Sequence, residues 1–289
     1  MSKSPEQGPS QNATSPRNSQ GNYAMGSTDR ERQRLMTQGG ILRGPLESGF
    51  RAAGITTGMR VLDIGCGVGD VAALAAEIVG PSGSVVGLDR DAASIEWARR
   101  RVAEAGFTNL QFHATEFDQF EEAGSFDALV GRFILLYLPD PVATLRHLSR
   151  SLRSGAVIAF MEPDFTVPSA VFPPMPDFKD CERWVGESLR RSGARIDMGM
   201  RLHHTYRDAG FVNTNTMISH LSGCGVTRQM ADFFVETIRS LLPKMVEYGI
   251  AMPEEVQIDT LGDRMFAAGR EADPQWVGSR YILAWASKP

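Results

Sequence analysis

The 289-residue sequence contains few cysteines, and the three present, Cys66, Cys181 and Cys224, are far apart. An odd number of widely spaced cysteines argues against a disulfide framework and against a zinc site. A metal site built on the adjacent pair His203 and His204 is also excluded, because neighbouring side chains on a helix point in different directions. We therefore expect no metal, and we expect the protein in a reducing compartment such as the cytoplasm.

Long apolar runs and basic stripes are missing as well. No apolar run approaches the roughly 20 residues that a membrane-spanning helix requires, and the first residues lack the features of a secretory signal. The formal net charge is -4, and the one compact basic run, Arg99-Arg100-Arg101, falls within a predicted helix. Nucleic-acid binders usually carry a basic stripe. We therefore expect neither a membrane nor a nucleic acid as partner, and a homo-oligomer stays open.

The composition divides the chain into four parts. Residues 1–22 are nearly all Ser, Pro, Gln, Asn, Gly and Thr, a composition typical of a disordered tail. Residues 23–58 follow with two predicted helices, and residues 59–162 form a predicted core. Residues 163–289 are predicted to carry a substrate-binding cap and the final strands.

From residue 59 onward, short apolar runs alternate with helical patterns. The predicted elements of the core are strands over 60–64, 84–89, 110–113, 126–130 and 156–160 and helices over 70–79, 91–105 and 141–153. Those after it are helices over 178–192, 199–209, 227–248 and 259–269 and strands over 213–221 and 280–286. Strands that alternate with helices at this spacing indicate an α/β fold with a parallel sheet.

A glycine-rich turn, with Gly65, Gly67 and Gly69, joins the first predicted strand to the first core helix. Glycine allows a sharp turn and lets a ligand approach the backbone closely. The dinucleotide fingerprint G-x-G-x-x-G needs a third glycine where this sequence has Asp70, and a carboxylate there would oppose a pyrophosphate. S-adenosylmethionine has no phosphate and two positive groups, so the turn favours it over a nicotinamide dinucleotide, which stays the alternative.

Right-handed crossovers place the carboxyl ends of parallel strands at one edge of the sheet. That edge is predicted to collect the glycine turn, Asp89, Glu116, Arg132 and Glu162. These residues come from five different strand ends. Their convergence predicts a single cleft.

Residues 23–162 resemble the class I S-adenosylmethionine-dependent methyltransferases, and in particular their small-molecule branch. The first motif of that family, DxGxGxG, is matched by Asp63, Gly65, Gly67 and Gly69. The resemblance implies a Rossmann-like doubly wound sheet, mainly parallel with an antiparallel last strand, and here with a helical cap insertion after the fifth strand. It also implies S-adenosyl-L-methionine as the cofactor.

The resemblance assigns roles to further residues of the cofactor site. Asp89 matches the family's acidic residue that binds both ribose hydroxyls, and a carboxylate has the two acceptor oxygens that a diol needs. Helix capping is the alternative role for Asp89. Arg90 follows it at the same strand end. Glu116 takes the place of the family's aspartate near the adenine amino group, which is a departure, and Phe117 is placed to pack on the ring.

Three more residues are assigned to the cofactor site. Arg132 lies in the segment that the family packs near the methionine part, and pairing with a surface carboxylate is its alternative role. Residues 23–58 resemble the lid of this branch. Tyr23 and Gln38 are the lid residues predicted to face the cofactor.

Methyl transfer to a hydroxyl or carbon acid requires a group that removes a proton. Glu162 and His203 are the candidate bases, with Asp164 and His204 as alternatives. Glu162 could instead satisfy backbone amides, and the histidines could lie at the surface. A carboxylate at the cleft edge can have its pKa raised into the range of a base, and histidine titrates near neutrality.

The acceptor must be inferred from residues 163–275. The large apolar side chains there are Phe165, Phe172, Met175, Phe178, Trp184, Met198, Met200, Phe233 and Phe234. Such a composition suits a small, largely hydrophobic or aromatic acceptor molecule, for example a secondary metabolite. The alternatives are a cofactor-binding relative that catalyses a non-methyl reaction such as cyclisation, and a nicotinamide-dependent oxidoreductase.

Overall fold

A computed structural model describes Met25 and residues 28–289. The predicted tail, residues 1–22, and the predicted lid residue Tyr23 lie outside the described residues. The strands are β1 (Arg60–Ile64), β2 (Ser84–Asp89), β3 (Leu110–Ala114), β4 (Phe126–Arg132), β5 (Leu152–Asp164), β6 (Ala170–Phe172), β7 (Val212–Cys224) and β8 (Gln275–Ser287). The helices are α1 (Asp29–Ala52), α2 (Asp70–Val79), α3 (Ala92–Glu104), α4 (Pro141–Leu148), α5 (Pro176–Arg191), α6 (Met198–Ala209), α7 (Arg228–Glu247), α8 (Pro253–Val256) and α9 (Ile258–Ala272).

All eight strands belong to one mixed sheet. Its order is β3-β2-β1-β4-β5-β8, and both β6 and β7 also pair with β8. The pairs among β1 to β5 are parallel, whereas β8 is antiparallel to β5, β6 and β7. The predicted α/β class is therefore confirmed, together with the mainly parallel sheet and the antiparallel last strand.

The core strands and helices form where the sequence places them. Asp91 caps α3 by accepting from the Ala93 N–H at 3.1 Å, and Asp140 caps α4 by accepting from the Ala143 N–H at 2.9 Å. A short carboxylate before the first turn satisfies an amide that the helix leaves unpaired. The helix predicted over 141–153 is shorter than expected and ends at Leu148. One 3₁₀ turn, Ser149–Ser151, follows it.

The amino-terminal region forms one helix, and the predicted break between two helices is wrong. α1 runs through Gly39, Gly40 and Pro45. A Cβ on Gly39 would lie 2.5 Å from the Asp70 Cγ, and one on Gly49 would lie 2.2 Å from a Leu283 methyl carbon. These glycines therefore serve close packing of α1 on α2 and β8. Glycine lowers helix propensity, which is why the pattern alone suggested a break.

The fifth strand is longer than predicted at both ends. It was expected over 156–160 and spans Leu152–Asp164. Residues Val157 to Asp164 pair continuously with β8, so the register of β8 sets where β5 ends. Glu162 consequently lies inside the strand instead of beyond it.

Candidate active site

A cleft of about 1370 Å³ opens at the carboxyl ends of β1, β2 and β4, under α1 and α7. Pockets for a single drug-sized ligand are typically about 300–1,000 Å³. The cleft therefore has room for a cofactor and a second small molecule. Its lining changes along its length, with polar residues near the glycine turn and aromatic residues near α5, α7 and β8.

The glycine turn borders the polar end of the cleft through Gly65 and Gly67. The third predicted cofactor glycine, Gly69, does not line the cleft, because it packs close to Phe112. Gly65, Gly67 and Gly69 have φ angles of 65°, 50° and 84°, a left-handed region that disfavours other residues. A Cβ on Gly65 would lie 2.5 Å from the Ile134 side chain, whereas a Cβ on Gly67 would meet nothing within 4 Å. Gly67 therefore faces open space, where a ligand can lie against the bare backbone.

Asp89 ends β2 beside this turn and lines the cleft. Its carboxylate accepts from the Gly67 N–H and from the Asp91 N–H, each at 2.9 Å. Burial raises the pKa of Asp89, and these two amides act in the opposite direction. Each carboxylate oxygen keeps a second lone pair. Asp89 is thus held in place, and the capping residue of α3 is Asp91.

Four other predicted cofactor residues line the same end of the cleft: Gln38, Arg90, Glu116 and Phe117. Arg90 and Glu116 are exposed, whereas Gln38 and Phe117 are half-buried. A polar rim around a glycine turn with an anchored carboxylate fits a nucleoside-type ligand. The residues present therefore suit an adenosyl cofactor.

Arg132 also lines the cleft, and its side chain is only 7% exposed. Its Nη2 lies 3.8 Å from Oδ2 of Asp70, and Asp70 Oδ1 binds Arg101 at 2.5 Å. The carboxylate near Arg132 is therefore one at the start of α2, not one at the surface. Arg101 and Arg132 thus compensate the negative charge of Asp70, the residue at the position where the dinucleotide fingerprint has its third glycine.

Asp63, the first residue of the glycine motif, is fully buried and is not among the residues that line the cleft. Burial raises its pKa well above the usual value, and the nearby Arg132 guanidinium lowers it. Asp63 therefore contributes to the charge balance behind the turn. The structure places Gly65, Gly67 and Asp89 at the cleft instead.

Glu162 does not lie at the cleft edge, where a proton-accepting base was predicted. Its side chain is fully buried, and the cleft lining does not include it. It accepts from the N–H groups of Ile134 at 3.0 Å, Leu135 at 2.8 Å and Leu136 at 3.4 Å. Burial raises its pKa to about 8, and these amides act in the opposite direction. Glu162 therefore holds the segment after β4 that lines the cleft, which argues against a direct role as base.

The other candidate bases also lie away from the cleft. His203 and His204 are exposed on α6, with ring centroids 5.3 Å apart, and neither lines the cleft. Asp164 is fully buried and binds Arg280 and Thr166. The structure argues against all three as proton acceptors.

The second end of the cleft is largely apolar. Its aromatic lining consists of Phe165, Phe178, Phe233, Phe234, Trp276 and Tyr281. Four of these residues were among the predicted apolar set. The others in that set do not line the cleft: Phe172 and Met200 are exposed, and Met175, Trp184 and Met198 belong to the core. α7 contributes to both the cleft and the core. Its residues Phe233 and Phe234 line the cleft. Its residues Ile238, Leu241 and Met245 are buried in the core.

Several cleft residues were not predicted from the sequence. Glu182 on α5 and Tyr281 on β8 line the apolar end. Glu31 and Arg34 of α1 line the cleft as an ion pair in which both side chains are 2% exposed. Helical spacing could have paired Glu31 with Arg34, because residues three apart share a helix face. No local pattern marks Glu182 or Tyr281.

Comparison with known proteins identifies the family. A family profile described as a methyltransferase domain matches residues 55–191. Aklanonic acid methyltransferase DauC of Streptomyces sp. (strain C5) is 33% identical over 181 residues, which cover 58% of this chain and 80% of that protein. Demethylmenaquinone methyltransferase of Listeria welshimeri is 30% identical over 185 residues, which cover 60% and 78%.

Solved structures agree on the fold. A geranyl diphosphate methyltransferase in complex with SAM aligns with a TM-score of 0.53 and 17% identity, over 92% of this chain and 94% of the other. The chain belongs to the class I S-adenosylmethionine-dependent methyltransferases. It is an enzyme, and its cofactor is S-adenosyl-L-methionine.

Within 28–289 and Met25, no group of three or more His, Cys, Asp or Glu side chains is arranged to hold a metal ion. Among the helices in that same part of the chain, none has both the length and the apolar character needed to cross a membrane.

Proposed function

We propose that this enzyme transfers the methyl group of S-adenosylmethionine to a small, largely hydrophobic or aromatic molecule, such as a secondary metabolite. The observation that carries the proposal is the continuity of the cleft. The same cavity has the glycine turn and Asp89 at one end and six aromatic side chains at the other. An acceptor ring at the apolar end would face the cofactor at the polar end.

The lining supports a small molecule over a polymer. Phe178 and Phe234 pack edge to face with ring centroids 5.3 Å apart, and Phe178 lies 6.5 Å from the Trp276 ring. Offset and edge-on aromatic contacts of this kind suit a further aromatic ring. The first relative is named for aklanonic acid and the second for demethylmenaquinone, and both names are those of small molecules.

The protein's own residues bind, orient and exclude water. When bound, the cofactor supplies an electrophilic methyl group on a positively charged sulfur. Asp89 orients the nucleoside part, and the 3₁₀ turn Leu135–Tyr137, held by Glu162, lines the passage between the two ends. Alignment of two reactants in one site can contribute several kcal/mol to the rate, about 7–11 at most. Positioning is therefore the main task of this fold.

The test uses S-adenosylmethionine labelled in its methyl group. The purified full chain is incubated with naphthols, naphthoic acids, naphthoquinols and hydroxyanthraquinones, and in parallel with total RNA and with a protein mixture. We expect label in at least one small aromatic compound, with a gain of one methylene in mass and one equivalent of S-adenosylhomocysteine. Label only in RNA or protein, or a product of unchanged mass, would contradict the proposal.

A further inference from the structure

Glu182 of α5 is the one acidic side chain from residue 163 onward that lines the cleft, within the described residues. It is half-buried and shares the apolar end with Phe178, Val185 and Leu189. These residues recur at helical spacing, so one face of α5 points into the cleft. A carboxylate on an otherwise apolar face is costly to bury unless it has a partner or a task.

The surroundings of Glu182 differ from those of its neighbours on α5. The other acids of that helix are in ion pairs, Asp177 with Arg264 at 3.4 Å, Asp180 with Arg183 at 2.9 Å and Glu187 with Arg190 at 2.7 Å and Arg191 at 2.6 Å. For Glu182 the described residues provide no ion pair, and its partner is the Ser169 backbone N–H. The carboxylate therefore keeps acceptor positions for a ligand.

Tyr281 connects Glu182 to the cofactor end. The Tyr281 hydroxyl interacts electrostatically with both the Glu182 carboxylate and the Arg132 guanidinium, which act on its pKa in opposite directions. Its ring also packs on Phe133, the residue after β4, with centroids 5.4 Å apart. Arg132 and Phe133 line the cleft beside the glycine turn. Glu182, Tyr281, Arg132 and Phe133 thus line one continuous cavity, with Tyr281 in electrostatic range of both charged residues.

Resting on the proposed function, we propose that Glu182 is the proton acceptor of the reaction and that the acceptor molecule is an aromatic compound with a neutral hydroxyl group. The hydroxyl oxygen forms a bond to the methyl carbon while the carbon–sulfur bond breaks. The electron pair of that bond stays on sulfur, which leaves as the neutral thioether. The hydroxyl proton passes to the Glu182 carboxylate and later to water.

The charge of the apolar end favours this acceptor class. None of the cleft-lining residues from 163 onward in the described chain is a lysine, arginine or histidine. A carboxylic acid acceptor would bring a second negative charge next to Glu182, which is unfavourable at short range. Arg132, which lines the same cleft, already compensates Asp70 and Asp63. A hydroxyl instead donates a hydrogen bond to the carboxylate.

The titration of Glu182 suits proton transfer near neutral pH. Burial raises its pKa to about 7, and the Ser169 N–H acts in the opposite direction. A base works best when its pKa is close to the operating pH. The titratable groups that interact with it are Tyr281 of β8, whose pKa is raised to about 12, and Cys181 of α5, whose pKa is also raised by burial. The cleft-lining residues of α7 carry no charge.

Three naphthalenes test the proposal: 2-naphthol, 2-naphthoic acid and 2-(aminomethyl)naphthalene. Each is titrated calorimetrically into the full chain saturated with S-adenosylhomocysteine, and methylation is measured with labelled cofactor. We expect wild-type enzyme to prefer the naphthol. Glu182→Gln should bind naphthoic acid more tightly than wild type, because the negative charge is gone. Its turnover of naphthol should fall about 10²–10⁴-fold, the usual contribution of a general base, and the acidic limb of the pH profile near 7 should disappear.

Glu187→Gln is the matched control, with the same change on the same helix at a surface ion pair, and it should behave like wild type. Preference of wild type for the acid or the amine, or Glu182→Gln turnover within a few-fold of wild type, would overturn the proposal. Wild-type enzyme that binds naphthol but methylates neither it nor any other small aromatic compound contradicts the proposed function instead. In that case the naphthoic acid titration still decides whether Glu182 lies against the ligand.

Discussion

The polar end of the cleft is built from strand ends within residues 65–132, whereas the apolar end is assembled from α5, α7 and β8. At the polar end, left-handed glycines and the backbone N–H groups bound by Asp89 define the shape. At the apolar end, aromatic side chains define it. A backbone-defined site suits a ligand that does not change, and a side-chain-defined site can be altered by single substitutions. This difference is what we expect if the polar end binds a cofactor that all members of the family share and the apolar end binds an acceptor that differs between them.

α1 connects the two ends. Glu31 binds Arg34 through both oxygens, at 2.7 and 2.8 Å, and accepts from the Ser240 hydroxyl of α7 at 2.7 Å. Arg30 pairs with Glu236 of α7 at the surface. The helix that covers the polar end is therefore tied to the helix that supplies Phe233 and Phe234.

The largest expected effect comes from breaking this connection. Glu31→Ala leaves Arg34 without its bidentate partner in a buried position, and removing one member of a buried pair typically costs about 3–5 kcal/mol. We expect a loss of that size in the free energy of unfolding, measured by urea denaturation. The control Arg30→Ala removes a more exposed pair and should cost at most about 1 kcal/mol. Equal losses in the two variants would contradict the role of the buried pair.

The next effect separates the two ends of the cleft. Asp89→Ala removes the carboxylate at the polar end, and each hydrogen bond to a charged group contributes about 1.5–3 kcal/mol. We expect S-adenosylhomocysteine to bind at least about 100-fold more weakly by calorimetry. The free energy of unfolding should fall by about 1–3 kcal/mol, because the Gly67 and Asp91 N–H groups lose their acceptor.

Glu104→Ala, at an exposed position near the end of α3, is the control for Asp89→Ala and should bind the cofactor product like wild type. Cofactor binding that survives Asp89→Ala would mean that the nucleoside part lies elsewhere.

A smaller and pH-dependent effect is expected at Glu162. Its folded pKa of about 8 lies above the ordinary 4.5, so its contribution to stability is fully present below 4.5 and is lost as the pH rises through 8. Glu162→Gln removes this titration. The stability of the variant relative to wild type should therefore increase between pH 4.5 and 8, measured by thermal unfolding. Turnover should stay within a few-fold of wild type; a complete loss would restore Glu162 as a candidate base.

The smallest effect is expected at His203. It is exposed on α6 and does not line the cleft, and surface substitutions usually change stability by no more than about 0.5 kcal/mol. His203→Asn should match wild type in turnover and in its pH profile. A pH profile that loses a limb near neutrality would contradict the placement of His203 outside the site.

The polar end could be predicted because its determinants are local. The glycine spacing specifies the turn, and the carboxyl ends of parallel strands meet by topology, so Asp89 and Glu116 follow from strand positions alone. The same rule wrongly predicted Glu162 at the cleft edge. Pairing with β8 extends β5 beyond the apolar run from which the end of the strand was predicted. The antiparallel partner that decides this comes more than 100 residues later in the sequence.

The apolar end could be predicted only as a composition. Phe172 and Phe178 are equally hydrophobic, yet one is 79% exposed and the other 1%. Which side chain enters the cleft depends on how α5 packs against α7 and α9, and this packing joins segments that no motif connects. Glu182 could not be distinguished from the other acids of α5 before the fold showed which helix face lines the cleft.

The most direct test of the two-ended cleft is a crystal structure of the enzyme with S-adenosylhomocysteine and 2-naphthol. We expect the ribose hydroxyls on Asp89, the naphthalene ring among Phe178, Phe234 and Trp276, and the naphthol oxygen on the Glu182 carboxylate at hydrogen-bond distance, about 2.6–3.2 Å. A ring bound outside this aromatic set, or a naphthol hydroxyl turned away from Glu182, would contradict this arrangement.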